Sequence, residues 1–138
     1  MIVRCETYKN AIEASVKGKI VLDVGAGTGF LSVIAAKAGA THVYAVEYSE
    51  MAEYAKQFIN DNGCTDNITL IKRRMEDVNI LDVPKVDVII SEWMGYFLLF
   101  ENMLPSVIDA RKRFLKEDGL MLPCEGRIYI AGVEWIGT

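Results

Sequence analysis

An α/β fold, with a mostly parallel sheet covered by helices on both faces, follows from three features of the chain. Short apolar runs suited to buried strands alternate with helical stretches from about Lys19 onward. The first of these runs passes directly into a glycine-rich loop and then a helix. Finally, 138 residues that are 51% apolar and 25% charged fit one domain with a substantial core and little room for a second.

Ile20-Val21-Leu22-Asp23-Val24 is the first predicted strand, ending in Gly25-Ala26-Gly27-Thr28-Gly29; Phe30 to Ala38 is helical until Gly39 stops it. Val43 to Glu47 reads as the second strand, and Glu50 to Asn62 as the second helix, with Gly63 at its end. Ile68 to Ile71 and Val86 to Ile90 are the third and fourth strands. After Pro105, Ser106 to Lys116 is helical, Asp118-Gly119 is a turn, and Leu120 to Leu122 is a short fifth strand before Pro123. The alternation from Arg127 to Val133 predicts a sixth strand.

The 19 acidic and 15 basic residues give a formal charge of −4, which lacks the footprint of a phosphate-binding surface and suits a cationic partner. Nucleic acid is therefore not an expected direct ligand. Cys5, Cys64 and Cys124 are odd in number and widely spaced, and His42 is the only histidine, so neither a disulfide framework nor a metal site is expected. No apolar run approaches the roughly 20 residues of a membrane-spanning helix, and the start of the chain lacks signal-peptide character. The expected location is the cytosol or nucleus.

Gly25, Gly27 and Gly29 remove the Cβ atoms that would keep a ligand from lying against the backbone at a helix start. The spacing is G-x-G-x-G after Asp23 rather than the G-x-G-x-x-G of pyrophosphate sites, which favours an adenosyl ligand such as S-adenosylmethionine over a plain tight turn. Glu47, ending the second strand, stands where an acid accepts from ribose hydroxyls, a device shared with NAD sites. Met75-Glu76 reads equally as a contact for an adenine amino group or as a solvated acidic turn. The basic run Lys72-Arg73-Arg74 reads as a solvated face.

The run Ser91-Glu92-Trp93-Met94-Gly95-Tyr96, with Glu101 after it, sets two carboxylates at the ends of a short aromatic loop following the fourth strand. Ligands of open α/β sheets bind at that edge, and two acids so placed can grip one guanidinium. Singly, Glu92 could cap a strand end and Glu101 could be a helix-start acid favoured by the dipole. A guanidinium has a pKa above about 12 and delocalised lone pairs, so it is a poor nucleophile. Two carboxylates fix its orientation and draw positive charge toward the nitrogens they hold, leaving the free terminal nitrogen more electron-rich.

Taken together, Val21 to Gly29, Ala35-Ala36-Lys37-Ala38-Gly39-Ala40, Glu47 and the Ser91 to Tyr96 run with Glu101 resemble the protein arginine N-methyltransferases, over nearly the whole chain. The resemblance implies a Rossmann-like class I methyltransferase fold over residues 1–138, S-adenosylmethionine as cofactor with S-adenosylhomocysteine as product, and an arginine-containing protein substrate. It implies Glu92 and Glu101 as the catalytic pair. It further implies that Arg4 pairs with the methionine carboxylate, that Asp23, Gly25 and Gly27 line the cofactor, that Glu47 binds ribose, and that Met75 and Glu76 contact adenine. Met94 beside Glu92 is similar to members that make the asymmetric product.

Family members also carry N-terminal helices over the cofactor, a C-terminal β-barrel and a dimerisation arm. Residues 127–135 are then expected as the first strand of such a barrel, with an exposed apolar patch around Ile128 and Ile130. The barrel's Thr-His-Trp segment has no counterpart here, and His42 lies outside any such context. Three functions follow in order: an arginine methyltransferase core, a module that holds the cofactor without turnover, and a small-molecule methyltransferase. Tyr8, Tyr96 and Phe100 either line a substrate channel or pack, with Tyr8 the one retained for the channel.

Overall fold

The computed structural model describes residues 2–134. Strands β1 (Ile20–Val24), β2 (His42–Val46), β3 (Ile68–Ile71), β4 (Val86–Ile90) and β5 (Leu115–Leu122) form one sheet in the order β3-β2-β1-β4-β5, with every neighbouring pair parallel. The chain builds outward from β1 to β3 and then crosses back to β4 on the other side of β1. The β1/β4 boundary is therefore the switch point at whose carboxyl side a ligand crevice opens.

Four helices accompany the sheet: α1 (Ile2–Ser15), α2 (Phe30–Lys37), α3 (Met51–Asp61) and α4 (Leu104–Phe114), with a 3-10 turn at Met75–Asp77. Strand pleating sends alternate side chains to opposite faces. Val21 joins Tyr8, Ile12, Val33, Val43 and Ile59 in the core under α1, α2 and α3, whereas Leu22 joins Met75, Ile89, Val107 and Phe114 in the core under α4. Both faces are thus covered, as a parallel sheet requires.

Helix α1 was not among the predicted elements, although Tyr8, Ile12 and Val16, four residues apart, are all buried on one side. Helix α4 starts at Leu104 rather than Ser106 because Pro105 fits its first turn, where no N–H is needed. Strand β5 is longer than expected, and the predicted Asp118-Gly119 turn lies inside it. Val86 pairs with Leu115 but Val88 with Leu120, so the extra residues form an irregularity.

The predicted sixth strand is not formed. From Arg127 to Val133 the described backbone has no strand partner, and Ile128, Tyr129, Ile130 and Val133 are exposed. A strand's N–H and C=O groups need a neighbour to pair with, and alternation alone does not supply one. Trp135, at the end of that expected strand, lies outside the described residues. Among the described residues no helix is long and apolar enough to cross a membrane, and no cluster of metal-ligating side chains occurs.

Candidate functional site

At the end of β1 the Gly25 and Ala26 N–H groups donate to the Val46 carbonyl at 2.9 and 3.0 Å, which folds the loop over the end of β2. Gly25 has φ +71°, and a Cβ there would lie 2.0 Å from Met103 Cε. Only glycine permits both that backbone and so close an approach. Gly29, with φ +78°, turns the chain into α2.

Glu47 is buried at the end of β2. Its Oε2 accepts from the Gly27 N–H at 2.8 Å and its Oε1 from the Ser49 N–H at 2.9 Å, so it fixes the glycine loop while each oxygen keeps a further acceptor site. Asp23 lies below the loop, 1% exposed, and its Oδ2 accepts from Ser32 Oγ at 2.6 Å. Burial pushes its pKa up to about 7; the Ser32 hydrogen bond opposes the rise and the nearby charge of Glu47 adds to it.

A cavity of about 330 Å³ opens above these strand ends. It is lined by Val24, Gly25, Val46, Glu47, Tyr48, Arg73, Arg74, Met75, Glu76, Glu101, Asn102, Met103 and Ser106. Five residues predicted from the sequence, Gly25, Glu47, Met75, Glu76 and Glu101, thus surround one space. Ser106 Oγ donates to Glu76 Oε1, and this bond holds the Glu76 carboxyl below the usual range. Asp23 and Gly27 support the loop from outside the cavity wall. A larger groove of about 700 Å³ runs beside α3 and β3 past Lys56, Gln57 and Lys72 and contains none of the predicted residues. The convergent polar groups favour the smaller cavity as the ligand site.

The acidic loop starts from a triply anchored Ser91. Its N–H donates to Leu122 O at 3.0 Å, its Oγ to Val24 O at 2.8 Å, and its carbonyl accepts from the Tyr8 hydroxyl at 2.8 Å. Trp93 is buried in the α4 core. Gly95 then pairs with Leu98, and Phe97, Leu98 and Asn102 take positive φ values of 48°, 63° and 51°, a strained path for side-chain-bearing residues. Glu101 lies against Gly95, its Cγ 2.7 Å from where a Cβ would stand. Tyr96 and Phe100 meet edge-on at 6.5 Å and remain exposed.

Glu92 holds a guanidinium in this structure: Arg4 Nη1 donates to its Oε1 at 3.0 Å. Arg4 also lines a separate apolar cavity of about 290 Å³ with Thr7, Tyr8, Ala11, Met94, Leu122 and Pro123. Tyr8 therefore stands where the loop begins, buried and bonded. Burial and the Glu92 charge raise its hydroxyl pKa.

Sequence reasoning missed Tyr48, Met103 and Ser106, and it took Arg73 and Arg74 for a solvated face although both line the cavity. Arg74 lies 5.8 Å from the Tyr48 ring centroid. The adjacency of Tyr48 to Glu47 was the available signal. For Ser106 and Met103 there was none, because their approach depends on where α4 docks.

A methyltransferase domain family model matches residues 21–119. Protein arginine N-methyltransferase 1.1 of Arabidopsis thaliana is 55% identical over 136 residues, and protein arginine N-methyltransferase 1 of Saccharomyces cerevisiae is 52% identical over 135; both alignments cover 96% of this chain. They cover 35% and 38% of those proteins, so the chain spans somewhat over a third of the length of these curated relatives. Among solved structures, Arabidopsis thaliana protein arginine methyltransferase 10 superposes with a TM-score of 0.83 at 47% identity, covering 87% of this chain and 35% of that one. The Trypanosoma brucei PRMT1 enzyme-prozyme heterotetrameric complex with AdoHcy gives 0.80 at 46%, covering 86% and 38%. With the sheet, glycine loop and family match in agreement, the chain belongs to the methyltransferase domain family.

Proposed function

We propose that this chain is the cofactor-binding and arginine-gripping core of a protein arginine N-methyltransferase, which moves a methyl group from S-adenosylmethionine to a guanidino nitrogen of arginine in a protein substrate. The observation that carries this reading is the double-glutamate loop. Glu101 lines the same cavity as Gly25, Glu47 and Glu76, and Glu92, at the loop's other end, is bonded to a guanidinium, that of Arg4. Similarity to arginine methyltransferases over 96% of the chain supports the same assignment.

The residues present fit an adenosyl ligand. Gly25 places backbone without a side chain on the cavity wall, Glu47 retains acceptor capacity for ribose hydroxyls, and Glu76 offers a carboxylate to an amino group beside the Met75 thioether. When bound, S-adenosylmethionine supplies an electrophilic sulfonium methyl. Glu92 and Glu101 orient the substrate guanidinium and hold its charge on the nitrogens they contact, and the anchored Ser91 fixes where the loop begins. Arg4 is suited to a carboxylate, whether that of Glu92 or that of the ligand's methionine end. Residence in the cytosol or nucleus belongs to the same proposal.

A second reading, a module that binds the cofactor without turnover, draws on the occupation of Glu92 by Arg4. Radiolabelled methyl transfer to an Arg-Gly-rich peptide separates the two. Label that enters arginine and is lost in Glu92→Gln supports the enzyme, whereas binding of S-adenosylhomocysteine with no transfer favours the module.

A further inference from the structure

We infer that Arg113, which does not line the cofactor cavity, is the positioning residue for its purine end; this rests on the adenosyl reading above and adds the device that sets its base selectivity. The Met75–Asp77 turn supplies two cavity residues, yet it is only three residues long. So short a 3-10 segment has little intrinsic stability, and its orientation has to be imposed from outside. Helix α4 imposes it. Arg113 Nη1 donates to Val78 O at 2.7 Å and Nη2 to Met75 O at 2.5 Å, so the two forked nitrogens grip the backbone on both sides of Glu76.

The fork is itself fixed. Asp109, one turn earlier on α4, accepts from Nε at 2.8 Å and from Nη2 at 2.6 Å. Ser106, a further turn-length back, donates to Glu76 Oε1 and so ties the carboxylate to the same helix. Backbone and side chain of the turn are thus referenced to one rigid helix, and Phe114, beside Arg113, is buried in the core. A lysine presents a single point charge and cannot hold two carbonyls and a carboxylate in one plane. The consequence is chemical selectivity. A carboxylate held in place accepts from the amino group of adenine and repels the carbonyl oxygen that hypoxanthine carries at the same position; a carboxylate on a loosened turn does neither well.

The test is calorimetric titration of the unaltered protein, Arg113→Lys and Arg113→Met with S-adenosylhomocysteine and S-inosylhomocysteine, alongside thermal melts without ligand. The unaltered protein is expected to prefer the adenosyl ligand by about tenfold or more, and both variants to lose most of that preference while still melting cooperatively. If Arg113→Met does not fold, Arg113→Lys, which keeps the charge and the apolar stem, carries the test. A preference that survives in a folded variant, or a loss of affinity equal for both ligands, overturns the inference. Binding of S-adenosylhomocysteine without any preference in the unaltered protein overturns it and leaves the cofactor reading standing. Binding of neither ligand removes both.

Discussion

Arg4 and Glu92, 88 positions apart in the chain, are joined by a 3.0 Å ion pair between the first helix and the acidic loop. Both side chains are substantially exposed, at 61% and 36%, so the pair contributes at most about 1 kcal/mol to folding. Its interest is functional: the carboxylate proposed to grip a substrate guanidinium holds that of Arg4 here. On the proposal that Arg4 meets the carboxylate of the ligand's methionine end, Arg4→Met is expected to leave the melting temperature nearly unchanged and to weaken S-adenosylhomocysteine binding by about tenfold, through loss of that charged hydrogen bond. A thermal melt and a binding titration on the same sample check both parts.

The glycine loop makes two separable demands. Gly25→Ala and Gly27→Ala each force a side-chain-bearing residue to positive φ, at about 1–2 kcal/mol in chemical denaturation. A Cβ at Gly27 meets nothing within 4 Å, whereas at Gly25 it displaces the end of Met103 and intrudes on the cavity wall. The expected result is similar destabilisation by the two substitutions and a much larger loss of S-adenosylhomocysteine affinity in Gly25→Ala.

Asp23 links the site to pH. Its folded pKa of about 7 lies above the ordinary carboxyl value of 3.8, so the folded state binds a proton more readily than the unfolded chain. This group's contribution to stability is complete below pH of about 4 and is lost as pH rises toward 7. Asp23→Asn, which keeps an acceptor for Ser32, is expected to flatten that part of the stability profile. Urea midpoints measured from pH 4 to 8 for both proteins provide the comparison.

Tyr8 fastens α1 to the start of the acidic loop. Tyr8→Phe leaves the buried Ser91 carbonyl without the hydroxyl that donates to it at 2.8 Å, and is expected to cost about 1 kcal/mol or somewhat more in urea denaturation. A loss well above that would indicate that the loop rearranges as well.

What could be read in advance divides along physical lines. Strands β1, β3 and β4 fall where their apolar runs begin and end, because a strand covered on both faces leaves a continuous run. The glycine loop and Glu47 were legible because local chemistry, positive φ and a strand-end acid, sets their place. The gathering of Glu101 with Gly25 and Glu76 was legible only through resemblance to a family. The Arg4–Glu92 pair and the Arg113 clamp depend on helix docking across long stretches of chain, and no local pattern encodes them. Arg127 to Val133 misled for the converse reason: its alternation is that of a strand, but pairing is a property of two segments.

On the proposed function, the cavity beyond the ends of β1, β2 and β3 holds an adenosyl ligand through Glu47. Calorimetric titration with S-adenosylhomocysteine of the unaltered protein and of Glu47→Gln tests it most directly. Saturable one-to-one binding is expected, weakened by about tenfold or more in Glu47→Gln through loss of charged acceptors for the ribose hydroxyls. Absence of saturable heat, or equal binding by the two proteins, would contradict it.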